Sequence, residues 1–168
     1  DPVELFTASN MTDVRDVLLY ADAEADTEGC TSLLCDRGHT ADGELLAAQT
    51  WDLNPSDLAH VVAIHRQPDE GPATWSVSCT GCQTLVGMNA DGLWVGTTNI
   101  RTRDARPGVP YLSLLHRAIR CRDSDAALAT IAAAPRAGAH TYWAADPDRA
   151  GMLECSATAH RRHDLADT

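Results

Sequence analysis

Alternation of apolar and polar side chains dominates the middle of the chain, from Cys30 to Asn99. A period of two is typical of strands that bury one face. Turn residues such as Asn54-Pro55-Ser56 and Asn89-Ala90-Asp91-Gly92 separate the runs. The pattern therefore predicts six strands joined as antiparallel hairpins, Thr31–Asp36, Glu44–Trp51, His60–His65, Thr74–Cys79, Gln83–Met88 and Leu93–Asn99.

Helical spacing replaces this alternation on both sides of the middle region. Thr12 is expected to be the N-cap of a short amphipathic helix that carries Val14, Val17, Leu18 and Ala21. Two further helices are predicted, one with Pro110 at its first position and one with Ser124 as its N-cap, and two strands are predicted after them, at His140–Ala145 and Met152–Ser156.

Three weaker segments complete the pattern. Asp1-Pro2 favours an extended or turn-prone start, because a residue before proline is biased away from helix. Ala23–Glu28 is acidic and is expected to be an exposed linker, and Ala157–Thr168 is a polar tail. The order of strands, helices and then strands predicts an α+β domain whose helices pack on an antiparallel sheet.

Composition narrows the range of partners and compartments. The 168 residues suit one domain with a core of its own. With 13 Lys+Arg against 24 Asp+Glu, the formal charge of −11 argues against nucleic acid or an anionic membrane surface as the main partner. Six cysteines could form three disulfides, but a chain of this length does not need them, and it shows neither a signal peptide nor a membrane-length apolar span. We therefore expect a cytoplasmic protein.

A metal site is not expected. Cys79 and Cys82 have the spacing of two zinc ligands, but the sequence contains no second pair of this kind. A redox pair would normally open a helix, whereas a strand is predicted after Cys82. His60 and His65 would point to opposite faces of their predicted strand. No cofactor is expected either.

The most suggestive chemistry lies at Gly29-Cys30. A cysteine is a strong nucleophile, and it also gains a free α-amine if the bond before it is cut. Glycine before it leaves the carbonyl open to attack. The simpler alternative is a turn that enters a buried strand.

Polar residues at the ends of other predicted strands offer companion groups. Asp52 ends the returning strand of the first hairpin, and Asn99 could donate from its side-chain amide to an oxyanion. Both are equally compatible with ordinary strand ends. Arg101, Arg103 and Arg106 lie in a loop that could bind a carboxylate or could simply be solvated.

Several short motifs follow one another in a fixed order along the chain. They are Gly29-Cys30-Thr31-Ser32, Asp42-Gly43, Gln49-Thr50-Trp51-Asp52, Val86-Gly87-Met88-Asn89-Ala90-Asp91-Gly92-Leu93, Thr98-Asn99 and Gly108-Val109-Pro110. Together they resemble the penicillin acyltransferase family of N-terminal-nucleophile hydrolases. The resemblance runs from about Asn10 to about Ser156.

This resemblance implies a self-processing enzyme. Cys30 would be the nucleophile, and Gly29 would supply the carbonyl of the bond that the precursor cuts. Asp52 would help to place and polarise the nucleophile, and Asn99, or Thr98 after a shift of one residue, would lie near the oxyanion. Thr98 and Arg101 would be candidate substrate-binding residues.

The resemblance also implies an organisation of the chain. Residues 1–29 would be a propeptide and residues 30–168 the catalytic domain. The family fold is a four-layer αββα sandwich, and this chain would represent part of it, because it ends before the later family segment that contains a Thr-Asn-His run. After the cut the propeptide would be a partner from the same precursor, and a homo-oligomer is also compatible.

The leading hypothesis is a cysteine hydrolase or acyltransferase that acts on C–N amide bonds of small acylated compounds. Its substrate would be a penicillin-like amide, an acyl-amino acid, a peptide or a thioester, processed through an acyl-enzyme on Cys30. The alternative is a non-catalytic α+β binding or assembly domain that retains the same scaffold.

Overall fold

The computed structural model describes residues 1–19 and 29–165 and has an α+β fold with a large antiparallel sheet and a few helices. The helices are α1 (Pro2–Ser9), α2 (Met11–Leu19), α3 (Tyr111–Ala118) and α4 (Ser124–Ala133), with short 3-10 helices at Arg37–His39 and Pro55–His60. The strands are β1 (Ser32–Cys35), β2 (Leu46–Gln49), β3 (Val61–Arg66), β4 (Thr74–Cys79), β5 (Val86–Asn89), β6 (Trp94–Asn99), β7 (His140–Ala145), β8 (Ala150–Cys155) and β9 (His160–Asp164).

Strands β3 to β9 form one seven-stranded sheet in which each strand pairs antiparallel with the next along the chain. The turn between β5 and β6 depends on Asn89, whose side-chain oxygen accepts the N–H groups of Asp91 and Leu93 at 3.0 Å. Its amide donates to the Ile119 carbonyl at 2.9 Å. Gly92 has a φ of 88°, which favours glycine. This turn therefore ties the sheet to the end of α3.

Helices α3 and α4 lie between β6 and β7 in the chain and cover one face of the sheet. Pro110 precedes α3, where its missing N–H costs nothing. The Asp123 side chain caps α4 by accepting the Ala126 N–H at 2.7 Å. The main core consists of apolar side chains from both helices and the facing strands, namely Leu93, Val95, Leu114, Leu115, Ala118, Ile119, Ala127, Leu128, Ile131, Tyr142, Ala144, Leu153 and Cys155.

Strands β1 and β2 form a separate two-stranded sheet. It contacts the face of β6 and β7 that carries Gly96 and Trp143, opposite the face on which Val95 and Tyr142 enter the helix-covered core. The contact is made by Gln49, whose side-chain oxygen accepts the Thr97 N–H at 3.0 Å and the indole N–H of Trp143 at 2.9 Å. Gly96 makes room for it, since a Cβ there would come within 2.4 Å of the Gln49 oxygen. The hairpin that follows Cys30 is thus fixed to the centre of the large sheet.

Much of the predicted element order is confirmed. All six strands of the middle region are present and pair as antiparallel hairpins, and the two helices after residue 110 pack on the sheet. The bounds predicted for Thr74–Cys79 and His140–Ala145 agree with β4 and β7. None of the helices in residues 1–19 and 29–165 has the length and apolar character needed to cross a membrane.

Predictions at the two ends of the chain were wrong. Asp1-Pro2 does not start an extended segment, because the Asp1 carboxylate accepts the Val3 N–H at 2.7 Å and caps α1, with proline at its first turn. Helix α2 begins at Met11, so Thr12 is not its N-cap. The polar tail contains β9, an edge strand. The linker predicted at residues 23–28 lies outside the described residues.

Two predictions about element boundaries also need correction. Asp123 rather than Ser124 is the N-cap of α4, because its carboxylate reaches the first turn. The turn predicted at Asn54-Pro55-Ser56 is the start of a 3-10 helix that runs to His60. His60 therefore precedes β3 instead of belonging to it.

Candidate functional site

The Gly29–Cys30 peptide lies where the β1–β2 hairpin is extended by one further pairing. Gly29 and Asp52 form an antiparallel bridge in which the Asp52 N–H donates to the Gly29 carbonyl at 2.8 Å. A second bond, from the Thr50 N–H to the Thr31 carbonyl at 2.8 Å, continues the ladder. Strand pairing therefore brings Asp52 beside the peptide bond that precedes Cys30.

A cavity of about 50 Å³ opens at this point, large enough for a group the size of a water molecule. It brings together the three predicted catalytic residues Cys30, Asp52 and Asn99, which lie just before β1, shortly after β2 and at the end of β6. Cys30 is half-buried and Asp52 is exposed, so the site can be reached from solvent. The complete lining is Thr12, Gly29, Cys30, Trp51, Asp52, Leu85, Thr97, Asn99, Tyr111 and His140.

The N-terminal segment forms one wall of this cavity. Thr12 of α2 lines it directly and shares a hydrogen bond with the Tyr111 hydroxyl. The next residue, Asp13, is buried and accepts the backbone N–H of Tyr111 at 3.2 Å. Helix α2 therefore docks on the first residue of α3, beside Cys30.

Burial changes the pKa values of Asp13 and Tyr111 in this part of the structure. Desolvation outweighs the hydrogen bond from Tyr111 and raises the pKa of Asp13 to about 7, with Asp16 raising it further. Burial also raises the pKa of the Tyr111 hydroxyl, and the nearby Asp13 charge adds to this effect. The phenol therefore remains protonated at neutral pH, whereas the Asp13 carboxyl group changes its charge near neutral pH.

His140 forms the floor of the cavity with Asn99. The two residues are directly opposed partners in the β6–β7 ladder. The imidazole stacks on the Tyr111 ring, with centroids 4.1 Å apart and planes at 19°. Burial lowers the pKa of His140 to about 3, and the Arg15 charge lowers it further, so the ring is neutral at physiological pH.

The two tentative substrate-binding residues lie elsewhere. Thr98 does not line the cavity, and alternation along β6 places it on the opposite face from Asn99. Arg101 borders a separate open groove of about 390 Å³ together with Thr102, Cys155 and Arg161. The structure thus puts Asn99 rather than Thr98 next to Cys30.

The other cysteines have different surroundings. Cys82 donates from its thiol to the Ser9 carbonyl at 3.6 Å, and burial raises its pKa. Burial also raises the pKa of Cys155 to about 11. The six cysteines all lie within the described ranges, and they form no disulfide. Across those ranges, no group of three His, Cys, Asp or Glu side chains is arranged to hold a metal ion.

Sequence reasoning missed four polar or aromatic residues of this neighbourhood, namely Thr12, Asp13, Tyr111 and His140. The sequence predicts Thr12 and Asp13 at the start of one helix and Tyr111 at the start of another, and nothing in the pattern brings the two helices together. His140 opens a strand that continues with Thr141 and then with four apolar or aromatic residues. A titratable side chain at the start of a mostly apolar strand is the one signal in the sequence that points to it.

A search against models of known protein families finds no match for this chain. A search of curated proteins also finds no match.

Proposed function

We propose that the chain is a self-processing cysteine hydrolase or acyltransferase of the N-terminal-nucleophile type. One observation carries the proposal: the carbonyl of Gly29, next to Cys30, already accepts the Asp52 N–H at 2.8 Å. A hydrogen-bond donor placed on a carbonyl stabilises the negative charge that develops when a nucleophile attacks it. The cavity that contains Cys30, Asp52 and Asn99 supports the same assignment.

The proposed cut proceeds in two balanced steps. The Cys30 thiolate adds to the Gly29 carbonyl carbon, a C–S bond forms, and the carbonyl oxygen becomes an oxyanion beside the Asp52 N–H. Collapse breaks the C–N bond, and the nitrogen takes up the proton that the thiol lost, which makes it the α-amine of Cys30. Water then hydrolyses the thioester, which releases a carboxylate at Gly29 and regenerates the thiol.

The mature enzyme would use the same groups on a separate substrate. The free α-amine has an ordinary pKa near ~8 and can accept the thiol proton at neutral pH. Cys30 then attacks a small acyl amide or thioester, and water or an amine resolves the acyl-enzyme. The Asp52 N–H, released from Gly29 by the cut, becomes available to the acyl oxygen of that substrate.

The layer arrangement is compatible with part of a four-layer αββα sandwich. Helices α3 and α4 cover one face of the seven-stranded sheet, and the β1–β2 sheet lies on the other face through Gln49. This order corresponds to one helical layer, one complete sheet and the beginning of a second sheet. Cys30 precedes β1, as the nucleophile of such a sandwich would.

The test is the fate of the Gly29–Cys30 bond. Intact-mass spectrometry of freshly synthesised protein should find a chain that begins at Cys30, and N-terminal sequencing should return Cys-Thr-Ser. Cys30→Ala should remain uncut, and Cys30→Ser should be cut slowly or not at all, because a hydroxyl is the weaker nucleophile. Cys35→Ala, which changes a half-buried cysteine on the same hairpin, should be cut like the wild type.

An uncut wild-type chain without activity on any acyl amide would refute this function. The non-catalytic binding domain would then be favoured, since the bridge between Gly29 and Asp52 also has a plain structural use as the last pairing of a hairpin. Alkylation distinguishes the two on the uncut chain. Rapid selective labelling of Cys30 supports the enzyme, and labelling no faster than that of the buried Cys155 supports the binding domain.

A further inference from the structure

Two side chains that line the cavity, His140 and Asn99, have buried polar atoms without a hydrogen-bond partner among the described residues. Neither ring nitrogen of His140, nor the side-chain oxygen of Asn99, has a hydrogen-bond partner within the described residues. His140 is 2% exposed. Buried polar groups are nearly always paired, so each exception requires an explanation. Here the exceptions are opposite each other in one ladder and line one cavity.

The state of the His140 ring limits what it can do. It is neutral and far from titrating at physiological pH, so it is a poor general base. A neutral imidazole has one N–H donor and one acceptor nitrogen. Packing holds it in place, because it stacks on Tyr111 and lies tilted against Tyr142, with ring centroids 5.8 Å apart. The ring is therefore a fixed hydrogen-bonding group rather than a proton carrier.

Asn99 needs a hydrogen-bond donor for its side-chain oxygen if its NH₂ group is to donate to an oxyanion at Cys30. A carboxamide has a donor end and an acceptor end, and it presents its NH₂ reliably only when its oxygen is held. Three hydroxyls line the cavity. That of Thr97 donates to the Thr141 carbonyl at 2.9 Å, and those of Thr12 and Tyr111 share a hydrogen bond with each other. The His140 ring lies directly opposite Asn99 in the ladder, and its nitrogens have no partner among the described residues.

We propose that His140 is the positioning residue for Asn99: its ring N–H holds the Asn99 side-chain oxygen through one water molecule in the cavity and turns the NH₂ group toward the acyl oxygen at Cys30. Directly opposed residues of a ladder have Cβ atoms about 4.5–5.5 Å apart, within reach of such a water bridge. The inference rests on the proposed function for its chemical purpose. The proposed water bridge between the two side chains does not depend on that function.

The first experiment follows the cut in a cell-free synthesised chain by intact-mass spectrometry. His140→Phe keeps the stacked ring but removes the N–H, and it should slow the cut on the order of 10²-fold, the scale of losing an oxyanion donor. His140→Gln, which again offers a side-chain N–H, should recover most of that loss. The matched control is His65→Phe, since His65 stacks on Trp75 far from the cavity, and it should be cut at the wild-type rate.

The second experiment needs no activity and uses the uncut Cys30→Ala chain. Long-range ¹H–¹⁵N spectra of the histidine rings should show His140 as one neutral tautomer with a slowly exchanging N–H, unchanged between about pH 5 and 8, where ordinary histidines titrate. His140→Phe should shift the side-chain NH₂ signals of Asn99, and His65→Phe should not. These spectra also cover the case in which a His140 variant fails to fold.

The outcomes separate this inference from the function. If the wild type is cut and His140→Phe is cut equally fast with unshifted Asn99 signals, the positioning role is refuted and the function stands. If the wild type is not cut but the His140 and Asn99 signals behave as expected, the function is refuted and the proposed link between His140 and Asn99 stands. A His140 ring that titrates within that pH range overturns the inference in either case.

Discussion

At the level of single residues, burial and hydrogen bonding decide what otherwise identical carboxylates do. For Asp104, burial acts to raise the pKa, but hydrogen bonds from Thr102, Thr158 and Ser156 outweigh it and hold the pKa well below its usual range. For Asp13, burial raises the pKa more than the hydrogen bond from the Tyr111 N–H lowers it, and the nearby Asp16 raises it further. The first carboxylate is a permanent anion that organises a turn, whereas the second is protonated or charged according to pH.

Asp13 should make the stability of the uncut chain depend on pH. Its pKa in the folded protein is raised to about 7, so its contribution is complete below the ordinary value near 3.8 and is lost as pH rises through 7. Asp13→Asn should remove this loss while still accepting the Tyr111 N–H. The difference from wild type should be at most about 4 kcal/mol above pH ~7, at ~1.4 kcal/mol for each pKa unit.

Thermal denaturation of the uncut Cys30→Ala chain at a series of pH values would measure this effect. The exposed Asp69→Asn is the control, because it removes the same charge without changing a buried group. The Cys30→Ala, Asp13→Asn double variant should lose less stability than the Cys30→Ala chain between about pH 4 and 7. An equally steep loss in both chains would show that Asp13 is not the group that titrates.

At the level of elements, the sequence was most informative where local chemistry and the hydrophobic pattern agree. Both point to a strand at Thr74–Cys79, and its bounds were predicted correctly. Strand β9 was missed because His160–Asp164 carries almost no apolar residue, and its pairing with β8 stabilises it as a strand. Helix α1 differs from the prediction because Asp1 lies outside the helix as its N-cap, where the bias of a residue before proline away from helix does not matter.

Gln49 is the residue that fixes the β1–β2 hairpin to the large sheet. Gln49→Met keeps the volume but leaves the Thr97 N–H and the Trp143 indole N–H without their acceptor, and both residues are almost fully buried. An unsatisfied buried donor costs about 1–3 kcal/mol. We therefore expect the variant to lose about 2–4 kcal/mol of unfolding free energy.

Urea denaturation followed by circular dichroism provides the measurement. Gln83→Met, the same change at an exposed position, should alter the stability by less than about 0.5 kcal/mol. Equal midpoints and slopes for the two variants would show that Gln49 does not fix the hairpin. If the loss is as expected, the cut at Gly29–Cys30 should slow as well, because the hairpin positions that bond beside Asp52.

At the level of the whole molecule, the candidate site combines parts that the sequence predicts and parts that only the fold reveals. Cys30, Asp52 and Asn99 were proposed from ordered motifs, and the structure places them around one cavity. His140 and Tyr111 join them because strand register and the helix α3 start converge there, which no spacing in the sequence encodes. A buried polar group without a partner is likewise a property of the packed molecule alone.

The N-terminal segment, residues 1–18, buries few of its side chains against the rest of the protein. Within residues 1–18 only Asn10 and Asp13 are buried. The large apolar side chains there are mostly in solvent, namely Val3, Leu5, Phe6, Met11 and Leu18. While Gly29 is bonded to Cys30, docking of α2 is intramolecular and is favoured by a high effective concentration. The proposed cut would remove that advantage, and association would then have to offset the lost translational and rotational freedom.

We therefore expect the cut segment to leave, and to leave more completely when Asp13 is charged. Size-exclusion chromatography with mass detection, at about pH 6 and about pH 8, brackets the titration of Asp13. The fragment of residues 1–29 should separate mainly at the higher pH, and Asp13→Asn should retain it at both. The uncut Cys30→Ala chain is the control for intact mass. Co-elution of both pieces at the higher pH after dilution would show that contacts other than Asp13 hold the segment, and that Thr12 remains part of the mature cavity wall.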